Sequence, residues 1–295
     1  MKVAVTGVGG FVGGHLVRAL AGRNHRLRRL VYRRRSSSGD KAHHEEVAAD
    51  VHDVSSLIKA FEGIEAVYHL VGIIVETRKL TFEKTVAGGT ENVVAACREC
   101  GVRRIVYLSA AGTGDEAETK YHQTKRRAEK TVIESGLDYT IFRPSLIFGP
   151  GDGFVGMLTK MITRSPVVVP VIGDGRYLLQ PVYIDDLCEV MSGCLTREDC
   201  LGRIIEVGGP ERLSYREILA ILKRVLNKKK RNIYLPWWFM KMNAAILETF
   251  LKPAPLTGDQ IKMLRSGNIC DNSQLHELFD RRMTPFEEGL RKYMR

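Results

Sequence analysis

"VTGVGGFVGGHL", residues 5–16, decides how this chain is read. It leaves the apolar run "KVAVT" (2–6) and enters "FVGGHLVRALAG" (11–22), whose apolar residues recur at helical spacing. A glycine-rich turn between a strand and a helix brings backbone N–H groups against an anion, and the helix N-terminus adds favourable electrostatics. Gly7 allows the sharp turn, Gly10 the close approach of a pyrophosphate, and Gly13 the packing of helix on strand. The spacing is GxxGxxG, and no Lys-Ser or Lys-Thr follows, so this is not a nucleotide-triphosphate loop. The turn therefore predicts a dinucleotide site.

Working outward, strands are expected at 27–32, 46–50, 66–71, 104–110 and 138–144. Helices are expected at 55–61 with a serine cap, at 81–100 ended by Gly101, and near 121–135. This alternation predicts an α/β fold, a Rossmann-like doubly wound parallel sheet with right-handed crossovers and ligands at the carboxyl ends of its strands. After Pro144, Gly and Pro punctuate the chain, and helices are expected near 154–164, 183–195, 214–227, 236–250, 257–265 and 284–293. The division expected is a dinucleotide-binding domain over 1–150 and a smaller, mostly helical lobe over 151–295, interleaved with the sheet edge.

The second strand runs into "LVYRRRSSS", with no acid before Asp40. NAD binders commonly carry an acid there for the ribose hydroxyls. Arg33, Arg34 and Arg35 instead suit a ribose 2′-phosphate, which predicts NADP, with NAD the alternative. The plainer reading of these arginines is an exposed charge run. Asp50, at the end of the third strand, is either an acceptor for the adenine amino group or an ordinary loop aspartate.

A second constellation follows. Ser109 ends the strand "RIVYLS", and "YHQTK" places Tyr121 and Lys125 at i and i+4 on one helical face. A phenol is a poor acid–base group at neutral pH, and a neighbouring ammonium favours its ionised form. A serine hydroxyl then holds a substrate oxygen while the tyrosine passes the proton.

Together, "TGVGGFVG" (6–13), "DVHD" (50–53), "HLVG" (69–72), "GGTENVVAAC" (88–97), "GVRRIVYLSA" (101–110), "YHQTK" (121–125), "FRPSLIFGPGD" (142–152) and "QPVYIDDL" (180–187) resemble a short-chain dehydrogenase/reductase of the extended or atypical kind, related to NAD-dependent epimerases and dehydratases. "PAPLTGDQIKML" (253–264) and "RMTPFEEGL" (282–290) further resemble the subgroup that includes the NADPH-binding accessory subunit of respiratory complex I. The resemblance implies that Gly7, Gly10 and Phe11, with Val12 and Gly13 of the same turn, contact pyrophosphate. It implies that Asp50 and Val51 contact adenine and that Leu70, Val71 and Gly72 line the cleft. Ser109, Tyr121 and Lys125 would form the active site, the last two also touching coenzyme, and Pro144 and Ile147 would pack near the nicotinamide. One departure stands out: in "TVAGGT" (85–90), Val86 occupies the place of the asparagine that usually organises the lysine's proton relay. Two functions are therefore carried forward: an oxidoreductase or epimerase/dehydratase, and a catalytically quiet NADP(H)-binding accessory or assembly protein.

The formal charge of +11 over 295 residues is concentrated at 26–35, 228–231 and the C-terminal "RKYMR". No nucleic-acid motif accompanies it, so the expected partner is an unidentified small-molecule substrate and the chain a monomer or homodimer. Aromatic residues beside "KKKR" in 228–252 either pack the small lobe against the sheet or meet a membrane surface or a quinone. No apolar run is long enough for a membrane span and no leader is visible, which predicts a cytoplasmic protein, with peripheral membrane contact as the alternative. The six cysteines are irregularly spaced; Cys97-x-x-Cys100 lies late in a helix without a second pair, and no metal site is expected. His15, His69, His43 and His44 share no ligand spacing.

Overall fold

The computed structural model describes residues 1–32, 44–239, 242 and 258–294. Arg33, Arg34, Arg35, Asp40, His43 and most of the helix expected at 236–250 lie outside these residues. Strand β1 (Lys2–Thr6) feeds α1 (Phe11–Ala21), and β2 (Arg26–Val31), β3 (His44–Ala48), α2 (Val54–Phe61), β4 (Ala66–His69), α3 (Gly89–Glu99), β5 (Arg104–Leu108), α4 (Lys120–Ile133) and β6 (Asp138–Pro144) follow. The second half adds α5 (Phe154–Arg164), α6 (Ile184–Gly193), α7 (Tyr215–Val225) and helices at Gly258–Ser266, Ser273–Leu278 and Phe286–Tyr293.

One seven-stranded sheet organises the protein, in the order Arg203–Val207, β6, β5, β4, β1, β2, β3. All its pairings are parallel, with β1 between β2 and β4. Side chains alternate across such a sheet. Val3, Val5, Tyr68, Val106 and Leu108 therefore join Leu16, Leu20 and Leu187 on one face. Ala4, Val67, Ile105 and Tyr107 join Leu57, Phe61, Val93 and Val132 on the other. Burying each large aliphatic or aromatic side chain contributes roughly 1.5–3 kcal/mol, which sets these helices firmly on the sheet.

Three details depart from the sequence reading. The cap of α2 is Asp53, whose carboxylate accepts from the Ser55 amide at 3.0 Å, rather than a serine. The helix expected from 81 begins instead with a wide π-helical turn, Glu83–Gly88, which holds Val86 fully buried. The strand Arg203–Val207, not anticipated in a helical second half, pairs with β6 and completes the sheet. Parallel pairing joins segments far apart in sequence, so a five-residue "RIIEV" carries little local signal.

All six cysteines are free thiols. Cys97 is buried in the core, and Cys100 Sγ donates to the Ile58 carbonyl at 3.3 Å, which ties α3 to α2. No helix among the described residues is long and apolar enough to cross a membrane.

Candidate active site

The glycine turn meets the steric demands of a dinucleotide loop. Gly7 has φ of +75°, and a Cβ there would lie 3.2 Å from the backbone of Leu70 and Val71. A Cβ on Gly13 would lie 2.3 Å from the Gly7 carbonyl oxygen and 2.7 Å from Val8 Cα. Gly9 and Gly14 face open space, so the triplet 7, 10 and 13 carries the constraint. The Gly10 amide closes the turn on the Gly7 carbonyl at 3.0 Å, and the first α-helical bond runs from the Gly14 amide to Gly10. The amides of Phe11, Val12 and Gly13 therefore precede the helical ladder and have no acceptor within it, at the positive end of the α1 dipole. No acid lies in the first turn of α1, and the site fits a diphosphate.

His15, one turn into α1, binds Asp185 at 2.9 Å through Nδ1 and the Pro150 carbonyl at 3.1 Å through Nε2. It thereby draws the loop after Phe148 and the start of α6 toward the glycine turn. Its neighbour Phe11 is 3.9 Å from where a Cβ on Gly151 would lie. At the end of β3, the Asp50 carboxylate accepts from the amide and Nδ1 of His52, at 3.0 and 2.8 Å. Val51 is buried beneath Gly89, and its carbonyl takes the Asn92 amide nitrogen at 2.8 Å.

Leu70, Val71 and Gly72 leave the carboxyl end of β4 and stand between the glycine turn and Lys125. They abut Gly7 on one side, and on the other a Cβ at Gly72 would lie 3.3 Å from Lys125 Nζ. Lys125 donates to the Leu108 carbonyl at 2.7 Å and the Tyr107 hydroxyl at 3.3 Å. Ser109 follows Leu108; its amide is held by Phe142 at 2.7 Å, and its buried Oγ has no hydrogen-bond partner among the described residues. Tyr121 lies one turn before Lys125, with Phe82 and His122 edge-on to its ring at 5.7 and 5.1 Å. Lys125 thus lies at the carboxyl ends of β4 and β5, bonded to the residue before Ser109 and beside Gly72, and Tyr121 stands one turn earlier on the same helix. Pro144 ends β6 and accepts from the Ala111 amide at 2.8 Å, whereas Ile147 pairs with Val182.

The electrostatics differ from the simple expectation. Burial pushes the Tyr121 phenol up to about 12 and brings the Lys125 ammonium down to about 8, the latter opposed by Glu129. Lys125 is directed at Leu108 and Tyr107, so its charge does not lower the phenol in this state.

Several supporting residues escaped the sequence reading. Glu129 continues the Tyr121–Lys125 face by another turn and is fully buried. It receives both arms of Arg143 at 2.8 and 2.6 Å, which locks α4 to β6. The i+4 spacing from Lys125 was its only sequence signal. Deeper in, Thr90 donates to the Val86 carbonyl at 2.6 Å, which leaves its oxygen to accept from His69 Nε2 at 3.0 Å. His69 Nδ1 then accepts from Thr6 at 2.9 Å, and Thr6 Oγ1 in turn accepts from the Leu70 amide at 3.2 Å. Burial and Lys125 hold His69 down to about 3, neutral in this network. Where the usual asparagine would offer an amide, Val86 offers its backbone carbonyl, and Tyr107 supplies a hydroxyl to Lys125.

Comparison with known proteins agrees with this fold. A ceramide reductase from Caulobacter vibrioides is 31% identical over 243 residues, covering 79% of this chain and 73% of that protein. The mitochondrial NADH dehydrogenase [ubiquinone] 1 alpha subcomplex subunit 9 of Arabidopsis thaliana is 26% identical, covering 92% and 70% respectively. Some curated relatives are much longer, and the chain spans 50% of the length of one of them. The dTDP-glucose 4,6-dehydratase DesIV from Streptomyces venezuelae, solved with NAD bound, superposes with a TM-score of 0.76 at 19% identity, over 100% of this chain and 96% of that one, a likeness of fold. Residues 3–208, from β1 through the strand that completes the sheet, match the NAD dependent epimerase/dehydratase family, and the chain belongs to that family.

Proposed function

We propose that this protein is a nicotinamide-coenzyme-dependent oxidoreductase, of the proton-and-hydride type shared with epimerases and dehydratases, acting on a small carbonyl or alcohol substrate. Supporting this reading are the buried Ser109 Oγ, without a hydrogen-bond partner among the described residues, and Lys125 bound to the adjacent Leu108 carbonyl beside Gly72 of the segment that abuts the glycine turn. When bound, the nicotinamide supplies hydride exchange. Phe11, Val12 and Gly13 amides hold the diphosphate, and Leu70, Val71 and Gly72 flank the coenzyme. Ser109 Oγ–H donates to the substrate oxygen, and the Tyr121 hydroxyl passes a proton to or from that atom. Lys125, with little polar contact beyond Leu108 and Tyr107, supports the phenol once substrate and coenzyme exclude water. The absence of an acid between Val31 and Asp40, together with Arg33 and Arg34, supports NADP over NAD.

Native mass spectrometry of the purified protein identifies the nucleotide that co-purifies. Turnover is then read across carbonyl and alcohol substrates in wild type and Tyr121→Phe. The expected result is bound NADP(H) and a loss of about 10²–10⁴ in turnover for the variant, with coenzyme binding kept. Coenzyme binding without turnover by the wild type on any substrate would overturn the enzymatic reading.

A second reading is a catalytically quiet NADP(H)-binding accessory or assembly protein. Val86 in the asparagine position and the high Tyr121 phenol favour it, as does the likeness to the complex I subunit. There, coenzyme acts by mass action on the fold. Gly10→Asp would then abolish partner association, and Tyr121→Phe would leave it intact.

A further inference from the structure

Far along the chain from the site residues, the parallel pair Val168–Ile172 and Arg231–Leu235 presents a partly exposed face. Val169 and Val171 point into the core, fully buried, so the alternate residues point outward. In register, these are Val168 beside Arg231, Pro170 beside Ile233 and Ile172 beside Leu235. The chain then turns into an aromatic run whose first member is anchored. A Cβ on Gly173 would lie 2.3 Å from the Trp237 indole nitrogen, and the Trp237 ring packs on Tyr177 at 5.6 Å. Other apolar residues here stay exposed: Trp238 is 66% exposed, with Phe239 edge-on to its ring at 5.9 Å, Met242 48% and Ile233 47%, while Tyr234, 52% exposed, is in register with Val171 on the opposite side of the pair. So concentrated an exposed apolar set marks an interaction surface.

The chain segment that carries it has one sign of charge, although exposed Asp174 adjoins Gly173 and Arg224 is paired with Glu287 at 2.6 Å. Between Glu217 and Glu248 the chain carries Lys223, Arg224, Lys228, Lys229, Lys230, Arg231 and Lys241, and no acid. Lys230 is committed to the carbonyls of Ser165 and Pro166 at 2.8 and 2.6 Å, which fastens this segment to the start of the neighbouring strand. Lys228 and Lys229 are exposed at the edge of the apolar face. Trp and Tyr, with apolar rings and polar tips, suit the boundary between headgroups and acyl chains. Lysines beside them add attraction for anionic lipid that falls off within a Debye length.

We propose that this face docks on the surface of an anionic lipid bilayer, with Trp238 and Ile233 among the headgroups and Lys228 and Lys229 against their negative charges. The full chain is tested by co-sedimentation with vesicles of phosphatidylcholine alone and of equimolar phosphatidylcholine and phosphatidylglycerol, at low and high salt. Expected is binding to the mixed vesicles that weakens with salt. Lys228→Ala and Lys229→Ala should each lower it about fivefold. Trp238→Ala with Ile233→Ala should lower it at least about tenfold. All four positions are exposed, so the coenzyme-induced rise in melting temperature stays as in wild type and reports that the variants fold. No vesicle binding, or binding unchanged by these substitutions, would overturn the proposal. So would a wild-type dimer in sedimentation velocity that Trp238→Ala with Ile233→Ala converts to monomer, since a second copy would then cover the face. Lack of any coenzyme response in the wild type would count against the candidate site alone; circular dichroism then reports folding, and the vesicle result stands.

Discussion

Lys125 sits over Tyr107, with its Nζ 3.3 Å from the hydroxyl and 4.8 Å from the ring centre. The two residues belong to different elements, α4 and β5, and the contact exists because both face the same side of the sheet. The hydroxyl and the Leu108 carbonyl are the polar groups that keep a buried ammonium charged. Removing one of them should make the ammonium easier to deprotonate.

Tyr107→Phe keeps the ring and deletes that acceptor. The Lys125 ammonium, already brought down to about 8 by burial, should fall further. Coenzyme affinity measured against pH should lose its ammonium-dependent part at lower pH than in wild type. An alkaline limb in the same place would show that Tyr107 does not hold the lysine.

The glycine turn makes a position-specific prediction. Gly13→Ala pushes a Cβ to within 2.3 Å of the Gly7 carbonyl and should cost about 1–3 kcal/mol while abolishing the coenzyme-induced melting shift. Gly14→Ala meets nothing within 4 Å and should stabilise α1 by roughly 0.5–1 kcal/mol. Thermal melts with and without coenzyme check both. Equal effects from the two substitutions would remove the steric argument.

Glu129→Gln leaves Arg143, only 16% exposed at its side chain, without its carboxylate. Breaking a buried pair from one side costs about 3–5 kcal/mol, and the residual solvent contact of Arg143 places this case near the low end. Urea unfolding should show it, together with weaker coenzyme protection because α4 carries Tyr121 and Lys125. A loss below 1 kcal/mol on the same scale would mean the pair does not anchor the helix.

His69 ties stability to pH. Its folded value is held down to about 3 against an ordinary 6.5, so between those values the unfolded chain binds a proton that the folded one does not. The associated stability is complete above 6.5 and falls as pH drops from there toward 3, by about 1.4 kcal/mol per pH unit. Urea midpoints followed across this range should fall steeply in wild type and less so in His69→Gln. Parallel curves would show that the histidine is not the titrating group.

The sequence by itself determined the β1–turn–α1 unit, the parallel sheet and the shared face of Tyr121 and Lys125. The first and last of these are local: a left-handed φ or a close Cβ contact restricts a position to glycine, and helical spacing alone aligns i with i+4; the parallel sheet follows from the alternation of strands and helices along the chain. Only the tertiary structure decided that Lys125 rests on Tyr107 and Leu108, that His69 joins Thr6 to Thr90, that Glu129 meets Arg143, and that Arg203–Val207 completes the sheet. It also decided which aromatic packs and which is exposed: Trp237 fills the space beside Gly173, while Trp238, its neighbour, does not. Those outcomes depend on which segments the sheet brings together, and contacts between residues distant in the chain leave no periodic trace in either segment.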